Sequence, residues 1–276
     1  MLVGLEYTNL KQGRAHLTKK LKTALICGCT HDPYLDEGLW GAFCNFAKLL
    51  KPDVFHRNGD IFDFYQISRF SKDLERADAM AEDREVFFHH EEMIGKVLPK
   101  ATIKIASKGN HEDRVYKHIL YSPDVRASMT NFGMELPTWD SFLQLDKFGY
   151  DVRDSEGIRL PRVMYGDLAV WHGKKYSQYA VAHNVRKMGH NACNHTHRAR
   201  SWACVVGGHN MYGYEMGHMA DPRLATDYIE DEEDWQQAFG VVNFDDGGYF
   251  DVDVVLVKDA GMGKRRFSYK SDYWEW

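Results

Sequence analysis

Three short apolar runs do most to limit what this chain can become. Thr23-Ala24-Leu25-Ile26-Cys27-Gly28, Val54-Phe55-His56-Arg57 and Thr102-Ile103-Lys104-Ile105-Ala106 each have the length and content of a buried strand. Longer segments separate them. Asp36-Glu37 caps a predicted helix whose apolar residues Leu39, Trp40, Phe43, Phe46, Ala47 and Leu50 share one face, and Lys51-Pro52-Asp53 ends it. The charged segment 72–96, with Met80, Phe87, Met93 and Ile94 at helical spacing, predicts a second amphipathic helix that Pro99 stops. A strand–helix–strand–helix–strand order implies parallel strands joined by right-handed crossovers, hence an α/β domain.

Each run delivers polar residues at its carboxyl end, the edge of an open α/β sheet where ligands collect. The first ends in Cys29-Thr30-His31-Asp32-Pro33 and the second in Asn58-Gly59-Asp60-Ile61-Phe62-Asp63. The third ends in Ser107-Lys108-Gly109-Asn110-His111-Glu112-Asp113, after which Arg114–Leu120 predicts a helix. Alone, a Gly-Asn-His turn is a modest signal. It gains weight because the later chain repeats the theme. The strand Asp167–Trp171 ends at His172-Gly173, and Asn191-Ala192-Cys193-Asn194 leads into His195-Thr196-His197-Arg198. Side chains two apart on an extended segment share a face, so His195 and His197 can reach one site. Imidazole, carboxylate and amide oxygen together suit borderline divalent metals.

Beyond residue 122 the pattern loosens. Short helical segments are expected over 138–145 and 178–188, and strands over 147–152, 158–163, 241–244 and 250–257. No repeat or low-complexity linker divides the 276 residues, so a single domain over 1–276 is expected, with 1–22 a surface arm and the core at about 23–258. The formal net charge of −5 offers no general basic field for long duplex DNA. No apolar run approaches the roughly 20 residues that span a bilayer, and Met1-Leu2-Val3-Gly4-Leu5-Glu6 lacks the order of a secretory signal, so no membrane association is expected. Five cysteines without a Cys-x-x-Cys pair are no disulfide framework or zinc ribbon, and fit the cytoplasm.

Taken in order, Gly59-Asp60-Ile61-Phe62-Asp63, Gly109-Asn110-His111-Glu112, His172-Gly173 and His195-Thr196-His197-Arg198 resemble the motifs of the calcineurin-like metallophosphoesterases. The segment Gly217–Phe244, with Tyr228, Trp235 and Gly240, looks like phage or bacterial members, and a phage-encoded chain would work in its host's cytoplasm. The resemblance implies a four-layer α/β/β/α sandwich around two mixed sheets. It implies a hydrolase with two divalent ions (Mn, Zn or Fe) that cleaves a phosphodiester of nucleotide or nucleic-acid type by attack of a metal-bridging hydroxide. Asp60 would bridge the ions, His31 and His197 would complete the first site, and Asn110, His172 and His195 the second. His111 would stabilise the transition state and protonate the leaving oxygen, and Asp63 would orient ligands from behind. Arg198 or Arg114 would hold a phosphate oxygen.

Two positions depart from the family pattern. Cys29 stands where Asp is usual, and Asn194 where Gly is usual. Three outcomes stay open at Cys29: its thiolate is the replacement ligand and favours zinc or iron, Asp32 swings in, or the first site is weak. The second would be mild if Asn194 takes a left-handed turn conformation. The competing function is a catalytically weakened member of the fold that acts as a binding or structural component. His56, His89, His90 and His118 are read as structural or solvated, and His209 or His218 as possible cleft residues.

Overall fold

The computed structural model of the chain describes residues 20–68, 79–120, 122–154, 160–221 and 234–276. Nearly all of the expected arm, residues 72–78 of the expected second helix, the start of the strand expected at 158, and Tyr228 lie outside them.

The first half follows the expected rhythm: β1 (Lys22–Cys27), α1 (Glu37–Leu50), β2 (Val54–Asn58), α2 (Met80–Val97) and β3 (Ile103–Ser107). Asp36 caps α1 by accepting from Leu39 N at 2.9 Å. The helix expected after the third strand is shorter than read: α3 (Asp113–Val115) opens into a wide turn over Tyr116–Leu120. Pro123 then starts α4 (Pro123–Asn131), and α5 (Trp139–Phe142) precedes β4 (Tyr150–Arg153). The second half holds β5 (Val163–Tyr165), β6 (Leu168–Val170), α6 (Ala180–Met188), β7 (Asn191–Cys193), β8 (Ala199–Val206) and β9 (His209–Met216). The chain continues through β10 (Ala238–Phe244), β11 (Phe250–Leu256), β12 (Lys258–Gly261), β13 (Lys264–Tyr269) and β14 (Asp272–Glu275).

A six-stranded sheet runs β11-β10-β1-β2-β3-β4, with β1 to β4 parallel and β10 and β11 antiparallel at one side. A five-stranded mixed sheet runs β5-β6-β7-β9-β8. Strand alternation sorts the layers. Ala24, Ile26, Val54 and Ile105 face the second sheet, where they pack with Leu168, Val170, Ala192 and Met216. Leu25, Cys27 and Phe55 face the other way, into the core with Leu39, Phe43, Phe46 and Phe87 of α1 and α2. Helix α6 covers the far side of the second sheet, where Val181 and Val185 press on Gly213 of β9. The result is an α/β/β/α sandwich.

At the amino end of β6, Asp167 N donates to Gly248 O in the β10–β11 turn at 3.0 Å, pinning the two sheets together. The apolar core continues past residue 258. A third sheet, β12-β13-β14, sets the ring centroids of Phe267 and Trp274 at 5.7 and 4.9 Å from that of Phe46, so a small antiparallel cap covers α1. Among the described residues no helix is long and apolar enough to cross a membrane.

Candidate metal centre

The carboxyl ends of β1, β2, β3, β6 and β7 meet at one edge, and their loops are tied together before any side chain is considered. Past the strands, Cys29 N donates to Gly59 O at 3.0 Å and His31 N to Asp60 O at 3.0 Å. The loops after β2 and β3 cross at two glycines. A Cβ on Gly59 would stand 2.8 Å from Gly109 Cα, and one on Gly109 would stand 2.3 Å from Asp60 N. Glu112, fully buried, fixes that crossing by accepting from Gly109 N at 2.7 Å, Ile61 N at 2.8 Å and Asp60 N at 3.0 Å. Burial and the Asp60 charge push its carboxyl up to about 7. Cys29, His31, Asp60 and His197 all have left-handed backbones, with φ of 51°, 50°, 47° and 57°. Such conformations cost side-chain-bearing residues about 1 kcal/mol or more and concentrate at functional sites.

These loops gather donor atoms into two adjoining groups. Around His172 Nε2 lie Asn110 Oδ1 at 2.9 Å, His195 Nδ1 at 3.1 Å and Asp60 Oδ2 at 3.1 Å. His172 Nδ1 faces Asn58 O at 3.3 Å, which directs Nε2 inward. In the second group His31 Nε2 and His197 Nε2 face each other at 3.1 Å, with Asp60 Oδ2 3.9 Å from His31 Nε2. Asp60 thus stands between the groups. Cys29 adjoins both: its Sγ lies within 4.8 Å of a ligand atom of His31 and of His197, and of one of Asp60 and of His172, whose Nδ1 it approaches at 4.0 Å.

Protonation favours cation binding. Burial opposes ionisation of Asp60, but His172 and His111 outweigh it and hold the carboxyl well below its usual range. Burial and neighbouring His172 depress His195 to about 4, and burial with His218 depresses His197 far below the usual imidazole range. Against burial, Asp60 in turn raises His172, while His195 and His197 stay neutral and offer lone pairs beside the carboxylate, which suits a divalent metal. Cys29 differs. Burial, then the Asp60 and Glu112 charges, push its thiol well above the ordinary value, so it carries its proton when no metal compensates.

Asp63 sits behind two histidines. Its Oδ1 is 3.3 Å from His31 Nδ1 and 3.0 Å from His111 Nδ1, and its carbonyl accepts from His111 Nδ1 at 2.9 Å. That fixes the proton of neutral His111 on Nδ1. His111 Nε2 then accepts from Arg114 Nη2 at 3.0 Å. Both residues line a cavity of about 790 Å³ with His31, Asp60, Asn110, His195 and His197. Arg198 does not line it. Its Nη1 donates to Tyr176 O at 2.9 Å and its Nε lies 3.5 Å from Asp234. Of the two arginines considered for a phosphate oxygen, only Arg114 faces the cavity.

His118, read as remote, lines the cavity with Lys117 because the wide turn after α3 swings both toward it. Trp235 lines it too, its ring centroid 4.4 Å from that of His197 and the two planes at 74°. Asp32 is committed elsewhere: it is fully buried and paired with Arg57 at 2.9 Å and with His90. It does not swing in for Cys29. Asn194 does not take the left-handed conformation, which falls on His197. Its amide braces the sheets, accepting from Asn58 Nδ2 at 2.8 Å and donating to Gly217 O at 2.9 Å.

No family model and no curated protein matches this chain. Solved structures do. Vps29 from Chaetomium thermophilum aligns over 92% of this chain and 98% of its own at 10% identity and a TM-score of 0.42. Wild-type Vps29 from Entamoeba histolytica, complexed with Zn2+, aligns over 92% and 96% at 9% identity and a TM-score of 0.38. TT1561 of Thermus thermophilus aligns over 85% and 99% at 9% identity and a TM-score of 0.35. At such values the functional reading rests on this chain's own residues.

Proposed function

We propose that the protein is a metal-dependent phosphoesterase that hydrolyses a phosphodiester of nucleotide or nucleic-acid type. The observation that carries this reading is the pair of donor groups sharing Asp60. Cys29, His31, Asp60 and His197 would hold one divalent ion, and Asp60, Asn110, His172 and His195 a second. Bound there, such ions would supply Lewis acidity toward a phosphoryl oxygen and lower the pKa of water.

The remaining chemistry belongs to side chains on the cavity wall. With its Nδ1 engaged by Asp63, His111 exchanges a proton through Nε2, the atom that serves the leaving oxygen. Arg114 donates to that same Nε2. A phosphate that draws the guanidinium to itself frees Nε2 to carry the proton, so substrate binding and proton delivery are linked. Arg114 and Lys117 favour an anion, while Trp235, Tyr34 and Ile67 offer apolar surface. A cavity of about 790 Å³ holds far more than one phosphate, which favours a diester with two organic arms.

A second reading, a weakened enzyme that serves as a binding component, is favoured by the raised thiol of Cys29. One experiment separates them: metal content after loading with manganese, zinc or iron, and turnover of bis-p-nitrophenyl phosphate. Two metals per chain with turnover are expected. One or none, without turnover under any ion, would overturn the enzymatic reading.

A further inference from the structure

On the outer face of the second sheet lies another concavity, one that the proposed chemistry does not use. It has a volume of about 750 Å³ and is lined by Tyr179, Ala182, His183, Arg186, Lys187 and Trp202. The first five recur at helical spacing, so they form one face of α6 and the residue before it. Trp202 faces them from β8, the edge strand of the five-stranded sheet. Gly213, paired with Trp202 across the ladder, sets the separation, because a Cβ there would meet Val185 Cγ2 at 2.2 Å.

The charge of this region is unlike the rest of the chain. From Leu168 to Tyr214 there is no Asp or Glu, while Lys174, Lys175, Arg186, Lys187, Arg198 and Arg200 are present, in a protein of net charge −5. Asp234 reaches in to pair with Arg198 and Arg200 and leaves the helix face untouched. The aromatic rings are open: Tyr176 is 78% exposed, Tyr179 68% and Trp202 40%. Arg198 Nη1 holds Tyr176 O and Arg200 Nη1 holds Gln178 O, so the segment between His172 and α6 is tied to the strand that follows His197. The groove therefore runs along α6 on the outer face of the second sheet and, among the described residues, shares no lining residue with the metal-centre cavity.

We propose that this groove binds single-stranded nucleic acid, with bases stacked on Trp202 and Tyr179 and phosphates held by Arg186 and Lys187. Open rings beside cations are what an unpaired strand uses, since every base presents a face and every linkage a charge. A duplex keeps its base faces covered, which assigns the groove to a single strand. The path of the strand toward the metal centre rests on the phosphodiesterase reading; binding itself does not.

The test is fluorescence anisotropy of a labelled 20-nucleotide oligo(dT) with the full chain in EDTA, so that binding is read without hydrolysis. Trp202→Ala is expected to weaken binding about tenfold, in line with the loss of one stacking contact. Lys187→Glu should weaken it further and reduce its salt dependence. Both variants should retain wild-type turnover of bis-p-nitrophenyl phosphate under the preferred metal. Absent oligo(dT) binding, or unchanged binding by both variants, would overturn the proposal. So would equal affinity for a 20-base-pair duplex or for poly-glutamate, which would mark a general anion surface. Oligo(dT) binding by a wild-type protein that turns over no bis-p-nitrophenyl phosphate under any ion would uphold the groove and sink the enzymatic reading alone.

Discussion

Cys29 is a fully buried thiol at the meeting point of both donor groups, on a left-handed backbone that its hydrogen bond to Gly59 O helps to hold. A soft sulfur there biases a site toward zinc or iron. Replacing it with an oxygen ligand should reverse the bias. Cys29→Asp is expected to raise manganese occupancy relative to zinc when the protein is loaded from an equimolar mixture and analysed by mass spectrometry of the metals. An unchanged ratio would remove Cys29 from the ligand set. Asp60, Asn110, His172, His195 and His197 were legible in the sequence because each follows a strand-like run, and strand ends converge. Glu112 was visible only as a neighbour of His111. Its work is done through backbone amides of a loop distant in sequence, and amides leave no mark in a residue pattern. Asn194 misled because its side chain, rather than its backbone freedom, is what the fold uses.

Strand β2 shows how one element serves two layers. Phe55 and Arg57 face the helices, and Val54 and His56 face the other sheet. His56 Nε2 lies 2.7 Å from Ser107 Oγ and its Nδ1 3.0 Å from Tyr165 OH, so it bridges the sheets as a neutral ring. Burial, then Arg153, lowers its pKa to about 3. The unfolded chain therefore binds a proton at His56 that the folded chain refuses. Stability from this group is complete above the unfolded value near 6.5 and is lost as pH falls toward 3. From pH 7 to pH 5 the stability lost, measured by urea titration at each pH, should be roughly 2 kcal/mol smaller for His56→Asn than for wild type. Equal losses would show that His56 is protonated in place. Strands such as β2 were readable as apolar runs. The β8–β9 hairpin was not, because an edge strand with α6 over one face and solvent elsewhere has no clean alternation.

At the scale of the molecule, stability depends on layers recruited late in the sequence. Phe267 is 1% exposed and packs against Phe46, Phe239 and Trp274, so β13 closes the core that α1 opens. Phe267→Ala should cost about 3–5 kcal/mol. A melting temperature within a degree of wild type would show the cap to be an accessory. The sandwich was legible from strand order, whereas the cap was not: its short, charged strands gain their apolar meaning only when set against α1.

The two sheets are joined differently at the two ends of β6. At its amino end a backbone hydrogen bond from Asp167 to Gly248 closes the sandwich without help. At its carboxyl end the facing groups are His31, Asp60 and Asn110 from one sheet and His172, His195 and His197 from the other. The molecule is a clam with a permanent hinge and a clasp made of ligands. Asn58 already latches the clasp side by donating to Trp171 O at 2.9 Å and Asn194 Oδ1 at 2.8 Å, so ions bound there would tighten a closure that the amides begin.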